Sequence, residues 1–272
     1  MMTAILTIAI IIAAAILMYL FVLLNPGSKR NISYPDEFFT DYAHRGLHDS
    51  NSPENSLAAF KQAVHAGFGI ELDVQLSADG QVMVFHDYTL VRMTGADDKL
   101  SEKTADELTE LKLNGTDESI PLLSEVLEAV GGKVPLLVEL KGENTNTHLC
   151  GKVHELMREY NGYYVVESFN PLLIHSYKKL SPSTPCGLLI TKFTKDRGIS
   201  ALNLILDWMA LNFLSKPDFI AFDHRYKKVS LSLLRHIYRL PEMTWTIRNK
   251  EVYDSLPEGK CAIFEGFIPE SK

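Results

Sequence analysis

Nine short runs of aliphatic, β-branched and aromatic residues, most of them separated by amphipathic helical patterns, restrict the folds open to this chain. They occupy residues 39–44, 69–76, 82–86, 134–140, 163–169, 187–191, 218–222, 243–247 and 261–264. Between them, Leu57, Phe60, Ala63 and Val64 mark one apolar helix face, and Leu122, Val126, Leu127 and Val130 a second. Leu149, Val153, Leu156 and Met157 mark a third, and Leu231, Leu234, Ile237 and Tyr238 a fourth. Strands alternating with helices build a parallel sheet, and repetition at this period predicts a (β/α)8 TIM barrel over residues 39–270. An open doubly wound sheet is the alternative, but the sequence carries no Gly-rich dinucleotide loop.

One joint departs from the alternation. Only residues 75–81 separate Val74 from Val82, and Asp79-Gly80 signals a turn there with no room for a helix. Nine runs also exceed the eight places of a barrel. Either one run is an addition to the barrel, or the second and third are linked irregularly.

The N-terminus has a separate character. From residue 4 to residue 24 there is no charge, and only Thr7 and Tyr19 carry polar side-chain atoms. At about 1.5 Å per residue this run reaches roughly 31 Å, enough to cross the hydrocarbon core of a bilayer. A cleaved signal peptide has a basic start, a shorter apolar centre and a small-residue cleavage site. Here no Lys or Arg precedes the run, and Ala13-Ala14-Ala15 falls in its middle. Residues 4–24 therefore read as a single-pass transmembrane anchor, with 25–38 as a tether opened by the helix-ending Pro26-Gly27-Ser28. Lys29 and Arg30 follow the span and nothing basic precedes it, which favours a cytoplasmic soluble domain at the cell membrane.

A formal net charge of −7 and the lack of a basic tail or zinc finger argue against a nucleic-acid partner. No protein partner is indicated. Cys150, Cys186 and Cys261 match no disulfide framework or metal-ligand spacing and read as small buried hydrophobes.

The chemistry concentrates at expected strand ends. In Glu71-Leu72-Asp73 and Glu139-Leu140-Lys141, charged residues alternate with an apolar one inside hydrophobic runs, so each pair shares one face of a strand. Burying such charges costs several kcal/mol unless they are paired or bind a metal. Glu71, Asp73 and Glu139 would converge at the mouth of a barrel, where three acids repel unless a cation intervenes. All-oxygen ligation indicates one hard divalent ion, Mg2+ or Ca2+. The competing reading has the acids in salt bridges with Arg45 and Lys141. His44 and His86, each followed by a charged residue, suit general acid–base work. Asp87 either orients an imidazole or caps a turn. Arg45 and Lys141 only donate hydrogen bonds and suit an anion, which beside a divalent metal means a phosphoryl group. Asn55 reads equally as part of a site or as part of a helix start.

Ala43-His44-Arg45-Gly46, Pro53-Glu54-Asn55-Ser56, Glu71-Leu72-Asp73-Val74, Asp79-Gly80, His86-Asp87, Ile120-Pro121 with Leu123 and Glu125, and Glu139-Leu140-Lys141 follow in sequence. In order and spacing they resemble the glycerophosphodiester phosphodiesterase family. The likeness is strong from Asp41 to Lys141 and looser through Glu167-Ser168-Phe169 and Trp245-Thr246-Ile247-Arg248-Asn249. It implies a TIM barrel, a divalent metal, and hydrolysis of glycerophosphodiesters to an alcohol and glycerol 3-phosphate, or of lysophospholipids. It implies that His44 and His86 are the acid–base pair and that Glu71, Asp73 and Glu139 are the metal ligands. Arg45 and Lys141 would hold the phosphate, Glu54 would support Arg45, and Trp245 would line the pocket.

The sequence departs from the family at two points. Ile263-Phe264-Glu265-Gly266-Phe267-Ile268-Pro269 replaces the usual Thr-Asp before a Pro, and Arg248 displaces Asn249 from its common place. The nearest alternatives are a lysophospholipase-D-like or cyclising cleavage of membrane lipids, and a non-catalytic membrane-tethered binding module. A glycosidase using Glu139 and Glu167 is a further alternative, although it would not need the two histidines or the cations.

Overall fold

The computed structural model describes residues 2–27, 34–142, 147–226, 228–257, 259 and 261–270. Lys29 and Arg30, on which the expected sidedness rests, lie outside the described residues, as do 28–33 of the expected tether.

Eight of the nine apolar runs close into a parallel barrel. Its strands are β1 (Tyr42–Ala43), β2 (Gly69–Leu76), β4 (Leu136–Leu140), β5 (Tyr164–Ser168), β6 (Cys186–Ile190), β7 (Phe219–Asp223), β8 (Glu242–Ile247) and β9 (Cys261–Phe264). β1 pairs with both β2 and β9, which closes the ring. The ninth run, β3 (Val82–Val84), is antiparallel to β2 and stands outside the ring. That settles the count of nine for eight places, and residues 77–81 form the turn that Asp79-Gly80 announced. Ser77 N–H donates to the Gln81 carbonyl at 3.0 Å, and Gly80 supplies the positive φ of 78°.

The first run is shorter than expected. Asp36–Phe39 forms a 3-10 turn instead of strand, and its Phe38 packs fully buried against Phe219 at 5.4 Å, ring to ring. Phe38 joins Tyr42, Leu137, Val165, Phe219 and Met243 in the barrel's interior cluster. Burying each such side chain contributes about 1.5–3 kcal/mol, so the interior below the mouth is a packed core and not a channel. Gly187 is part of that packing, since a Cβ there would lie 2.1 Å from the Phe219 ring.

The helices cover the outside of the barrel. In the Leu57–Ala66 helix, Ser56 caps the start by accepting from Ala59 N–H, and Gly67 ends it at φ 78°. Phe60 and Ala63 face inward as expected. The Leu123–Val130 helix buries Leu123, Val126 and Val130, so its face is set by Leu123 and not by Leu122, which is the cap residue. Leu231 and Leu234 of the fourth expected face are buried, but Ile237 is exposed. Between β3 and Leu123 the chain builds a small second core from Met83, Phe85, Leu90, Met93 and Leu100. The three cysteines are free and buried, as their spacing indicated. Met2–Leu23 is a helix long and apolar enough to cross a membrane, and the protein buries none of it over its most apolar stretch.

Candidate active site

Register between neighbouring strands brings the acids together. Asp73 on β2 lies opposite Glu139 on β4, and Glu139 lies opposite Glu167 on β5. Glu71 shares the inward face of β2, two residues before Asp73. All four are buried. Oxygens from Glu71, Asp73 and Glu139 all lie within 4.8 Å of one another.

The turn after β1 delivers His44 and Arg45. Arg45 sits at φ 56° and Gly46 at φ 83°, so the chain reverses sharply at the rim. A Cβ on Gly46 would meet Ala59 Cβ at 2.9 Å. The left-handed conformation costs Arg45 free energy, and two hydrogen bonds oppose that cost. Its N–H donates to Glu71 Oε2 at 2.9 Å, and its carbonyl accepts from Asn55 N–H at 2.9 Å. Asn55, also at positive φ, donates Nδ2–H to Asp73 Oδ2 at 2.8 Å. Of its two readings, the structure therefore places Asn55 in the site.

His86 reaches the rim by another route. It was expected at the end of a barrel strand, but it follows the antiparallel β3, which returns the chain until Val84 is level with Val74. Phe85 N–H then donates to the Asp73 carbonyl at 2.9 Å.

Each imidazole is held through Nδ1 by a carboxylate. His86 Nδ1 lies 2.6 Å from Asp87 Oδ1, the orienting role of the two considered for Asp87. His44 Nδ1 is against Glu265 Oε2. The Nε2 atom is the one left for chemistry on each ring, and that of His44 lies 3.9 Å from Glu71 Oε2. Burial depresses both imidazoles below their ordinary value, with the neighbouring carboxylates opposing it.

Arg45 Nη1 donates to Glu54 Oε1 at 2.6 Å. Glu54 is clamped from the other side by Arg92, which also donates to Asp87 Oδ2 at 2.6 Å. Lys141, expected on a phosphate, is directed at the acids, 2.9 Å from Asp73 Oδ1 and 2.7 Å from Glu139 Oε1. The competing salt-bridge reading thus accounts for part of the cluster. Burial works against the Lys141 charge, but Asp73 and Glu139 outweigh it and raise its pKa. Burial likewise opposes ionisation of Asp73, yet Lys141 and Arg45 hold it well below the usual carboxylate range.

Two cations do not satisfy four acids. Burial and the neighbouring carboxylates push Glu71 and Glu167 well above their ordinary values. Glu139 is pushed up to about 7 by burial, with Lys141 opposing. Glu167 Oε2 is buried with no hydrogen-bond partner among the described residues. A surplus of buried carboxylate oxygens facing one another suits a hard divalent cation.

His44, His86, Glu71 and Glu139 open onto a cavity of about 280 Å³. Phe169, Leu189, Trp245 and Ile263 form an apolar wall, with Trp245 edge-on to Phe169 at 5.5 Å. Arg45, Arg225 and Arg248 supply positive charge around it. Arg225 and Arg248 are held in place by Asp223 and by Glu265, the latter at 2.5 Å.

Sequence reasoning missed the part played by Glu265, Arg225 and Arg92, and it named Glu167 only in the looser likeness and the glycosidase alternative, not as the fourth buried acid of the cluster. A signal for Glu265 existed: once β9 pairs with β1, the residues that follow them, Glu265 and His44, must adjoin.

The model of the glycerophosphoryl diester phosphodiesterase family matches residues 44–262. The chain belongs to this family. Among its relatives, a glycerophosphodiester phosphodiesterase from Caldanaerobacter subterraneus subsp. tengcongensis is 38% identical over 160 residues, 54% of this chain and 65% of that protein. Glycerophosphodiester phosphodiesterase 1 of Bos taurus is 28% identical over 262 residues, 81% of this chain and 76% of that protein. A lysophospholipase D of Rattus norvegicus is 37% identical over 131 residues, 43% of this chain and 40% of that protein. The matches to the first bacterial relatives cover about 65% of their length. In fold, the chain is similar to an Oleispira antarctica phosphodiesterase in complex with the product sn-glycerol-3-phosphate. The TM-score is 0.67 at 24% identity, covering 83% of this chain and 92% of that one. A Thermotoga maritima glycerophosphodiester phosphodiesterase gives 0.65 at 27%, covering 83% and 93%.

Proposed function

We propose that this chain hydrolyses glycerophosphodiesters to an alcohol and glycerol 3-phosphate with the help of one divalent cation. The observation that carries this reading is the joint geometry: three acids within 4.8 Å of one another, and two carboxylate-held imidazoles opening onto the same cavity. In this reading Glu71, Asp73 and Glu139 hold the cation. Bound Mg2+ or Ca2+ would polarise the phosphoryl oxygens and offset charge developing on them.

The chain's own groups do the remainder. Arg45, fixed by Glu54, meets the phosphodiester anion, and Lys141 keeps Asp73 ionised and holds both Asp73 and Glu139 in place. One imidazole takes a proton at Nε2 from the attacking hydroxyl as the new O–P bond forms. The other enters as the imidazolium and gives its Nε2 proton to the departing oxygen as the P–O bond to the alcohol breaks. The attacking hydroxyl belongs either to water or to the substrate's own glycerol, the latter giving a cyclic intermediate. Trp245 and Phe169 bound the cavity with an apolar wall.

Purified full-length chain should release glycerol 3-phosphate from glycerophosphodiesters. Chelator should abolish release, and Mg2+ or Ca2+ should restore it. No release under any cation would leave the non-catalytic binding module. The apolar wall and the rat lysophospholipase D also favour a second reading, release of the head group from lysophospholipids, which product analysis separates. We further propose that Met2–Leu23 anchors the chain in a membrane, which its length and composition support.

A further inference from the structure

The helix Ala201–Asp207 is amphipathic in the reverse sense to the rest of the barrel's cover. Its polar side chains point in, and its apolar ones point out. Asn203 is buried and donates to the Gly198 carbonyl at 2.7 Å. Asp207 is the single charged residue between Gly198 and Lys216. It too is turned inward, accepting from Phe193 N–H at 2.7 Å and Thr194 Oγ1 at 2.5 Å, with Lys228 at 3.1 Å. The outward face consists of Ile199 (86% exposed), Leu202 (58%), Leu204, Ile205, Trp208 (51%) and Phe213. An apolar patch of this kind on a soluble surface marks an interaction site.

The patch runs directly into the N-terminal helix. Tyr19 packs edge-on against Trp208 at 5.8 Å and donates its hydroxyl to the Trp208 carbonyl at 2.8 Å. Asn212 Nδ2–H donates to the Leu24 carbonyl at 3.2 Å, and Tyr238 donates to that of Leu20 at 2.5 Å. The direction of this contact orients the whole molecule. After β6 the chain descends from the rim to the floor, where Asp218 precedes β7. Tyr19 meets it at Trp208, Leu24 at Asn212, Gly27 beside Lys216, and Tyr34 at Asp218. The N-terminal helix therefore also descends, and its exposed part, Met2–Met18, lies on the side of the catalytic rim.

We propose that the outward face of residues 199–213 is a membrane-contact surface, seated in the leaflet that receives the Met2–Leu23 span, and that it turns the catalytic mouth toward the lipid. This rests on the reading of Met2–Leu23 as a span. A lipid leaflet is the occupant because the patch is continuous with that span and is rimmed by Lys192, Lys195 and Arg197, all exposed. Asp196 among them is occupied by Thr191 Oγ1 at 2.5 Å. The Tyr19–Trp208 pair sits where an apolar span meets its polar domain, the level at which such aromatics gather. A phosphodiester head group displayed in that leaflet would then face His44 and His86 without leaving the membrane.

The test uses full-length protein reconstituted into vesicles of zwitterionic and anionic phospholipid. Leu202→Cys, Ile205→Cys and, as a control on the floor, Asn161→Cys each receive an environment-sensitive dye, the native cysteines being buried. Dyes at 202 and 205 should shift to the blue and lose emission in brominated lipid, with most loss for bromines about 5–10 Å below the head groups. The dye at 161 should do neither. Protein that resists alkaline extraction while 202 and 205 stay unquenched would overturn the proposal and keep the anchor. Protein stripped by alkali would overturn the anchor reading itself. A blue shift that follows protein concentration and ignores bromination would assign the face to a second copy and also overturn the proposal.

Discussion

Glu265 places Oε2 on the Nδ1 of His44 across the seam where β9 meets β1. Its other oxygen lies 2.5 Å from Arg248 Nε, so a carboxylate and an imidazole are locked at the closure of the barrel. Burial opposes the charge on Glu265, but the bonds from His44 and Arg248 outweigh it and hold the carboxyl at about 2. The two departures from the family pattern, Arg248 and Glu265, thus form one unit that positions His44.

Glu265→Gln removes the charge and keeps the shape. The Glu265 carboxylate raises the His44 pKa against burial, so its loss lowers that pKa further. Turnover should fall by roughly tenfold or more, below the ceiling of about 10²–10⁴ for losing a whole acid–base group. The limb of the pH–rate profile that reports His44 should move to lower pH. An unmoved limb would show that Glu265 only packs.

His44→Ala and His86→Ala should each lower turnover about 10²–10⁴-fold with the barrel still folded. The double variant should lose little more than either one, because two groups in one proton relay are not additive. Turnover measured beside far-ultraviolet circular dichroism checks both statements. Near-normal turnover in either variant would remove that histidine from the reaction.

Lys141→Met isolates the part of the cluster that is structural. It takes away the ammonium between Asp73 and Glu139 and leaves both acids buried. Removing one partner of a buried ion pair costs about 3–5 kcal/mol. If the same oxygens accept a divalent cation, millimolar Mg2+ or Ca2+ should restore part of that loss. Urea denaturation with and without the cation reads this, and a midpoint indifferent to cation in the variant would argue against a shared site.

Strand–helix alternation made the barrel legible, since each parallel crossover leaves its own pattern in the chain. The E-x-D and E-x-K triplets located the acids for the same reason, because period two fixes which side chains share a face. What stayed hidden depends on contacts between distant segments. Whether the run at 82–86 belonged to the barrel could not be decided from its composition, which is that of any strand. The charge of Arg92 resembles a solvated surface charge until the fold sets Glu54 beside it. Lys141 was ambiguous for a related reason. Its position after Glu139 is the same whether its ammonium meets a substrate or the neighbouring acids, and only the register of β2 against β4 brings Asp73 within reach. The outward apolar face at 199–213 was unreadable because its periodicity is that of a core helix, and only exposure reveals the inversion.

The acid cluster makes stability and cation binding depend on pH in opposite directions. Burial lifts Glu139 from an ordinary 4.5 to about 7 in the folded protein. Between those values the folded state binds more protons than the unfolded one, so stability falls as pH rises through that window. Glu71 and Glu167, lifted in the same sense, reinforce the trend, and Asp73, held low, stays ionised throughout. A divalent cation needs the carboxylates ionised, so its affinity rises with pH and its binding releases protons. Without cation, Tm should therefore decline from pH 5 to pH 8 in the region governed by this cluster. The gain in Tm on adding Mg2+ or Ca2+ should grow over the same range, following RT ln(1 + [L]/Kd). Thermal melts in matched buffers across that range decide it. A cation-induced gain that is flat with pH would place the ion away from Glu71, Asp73 and Glu139.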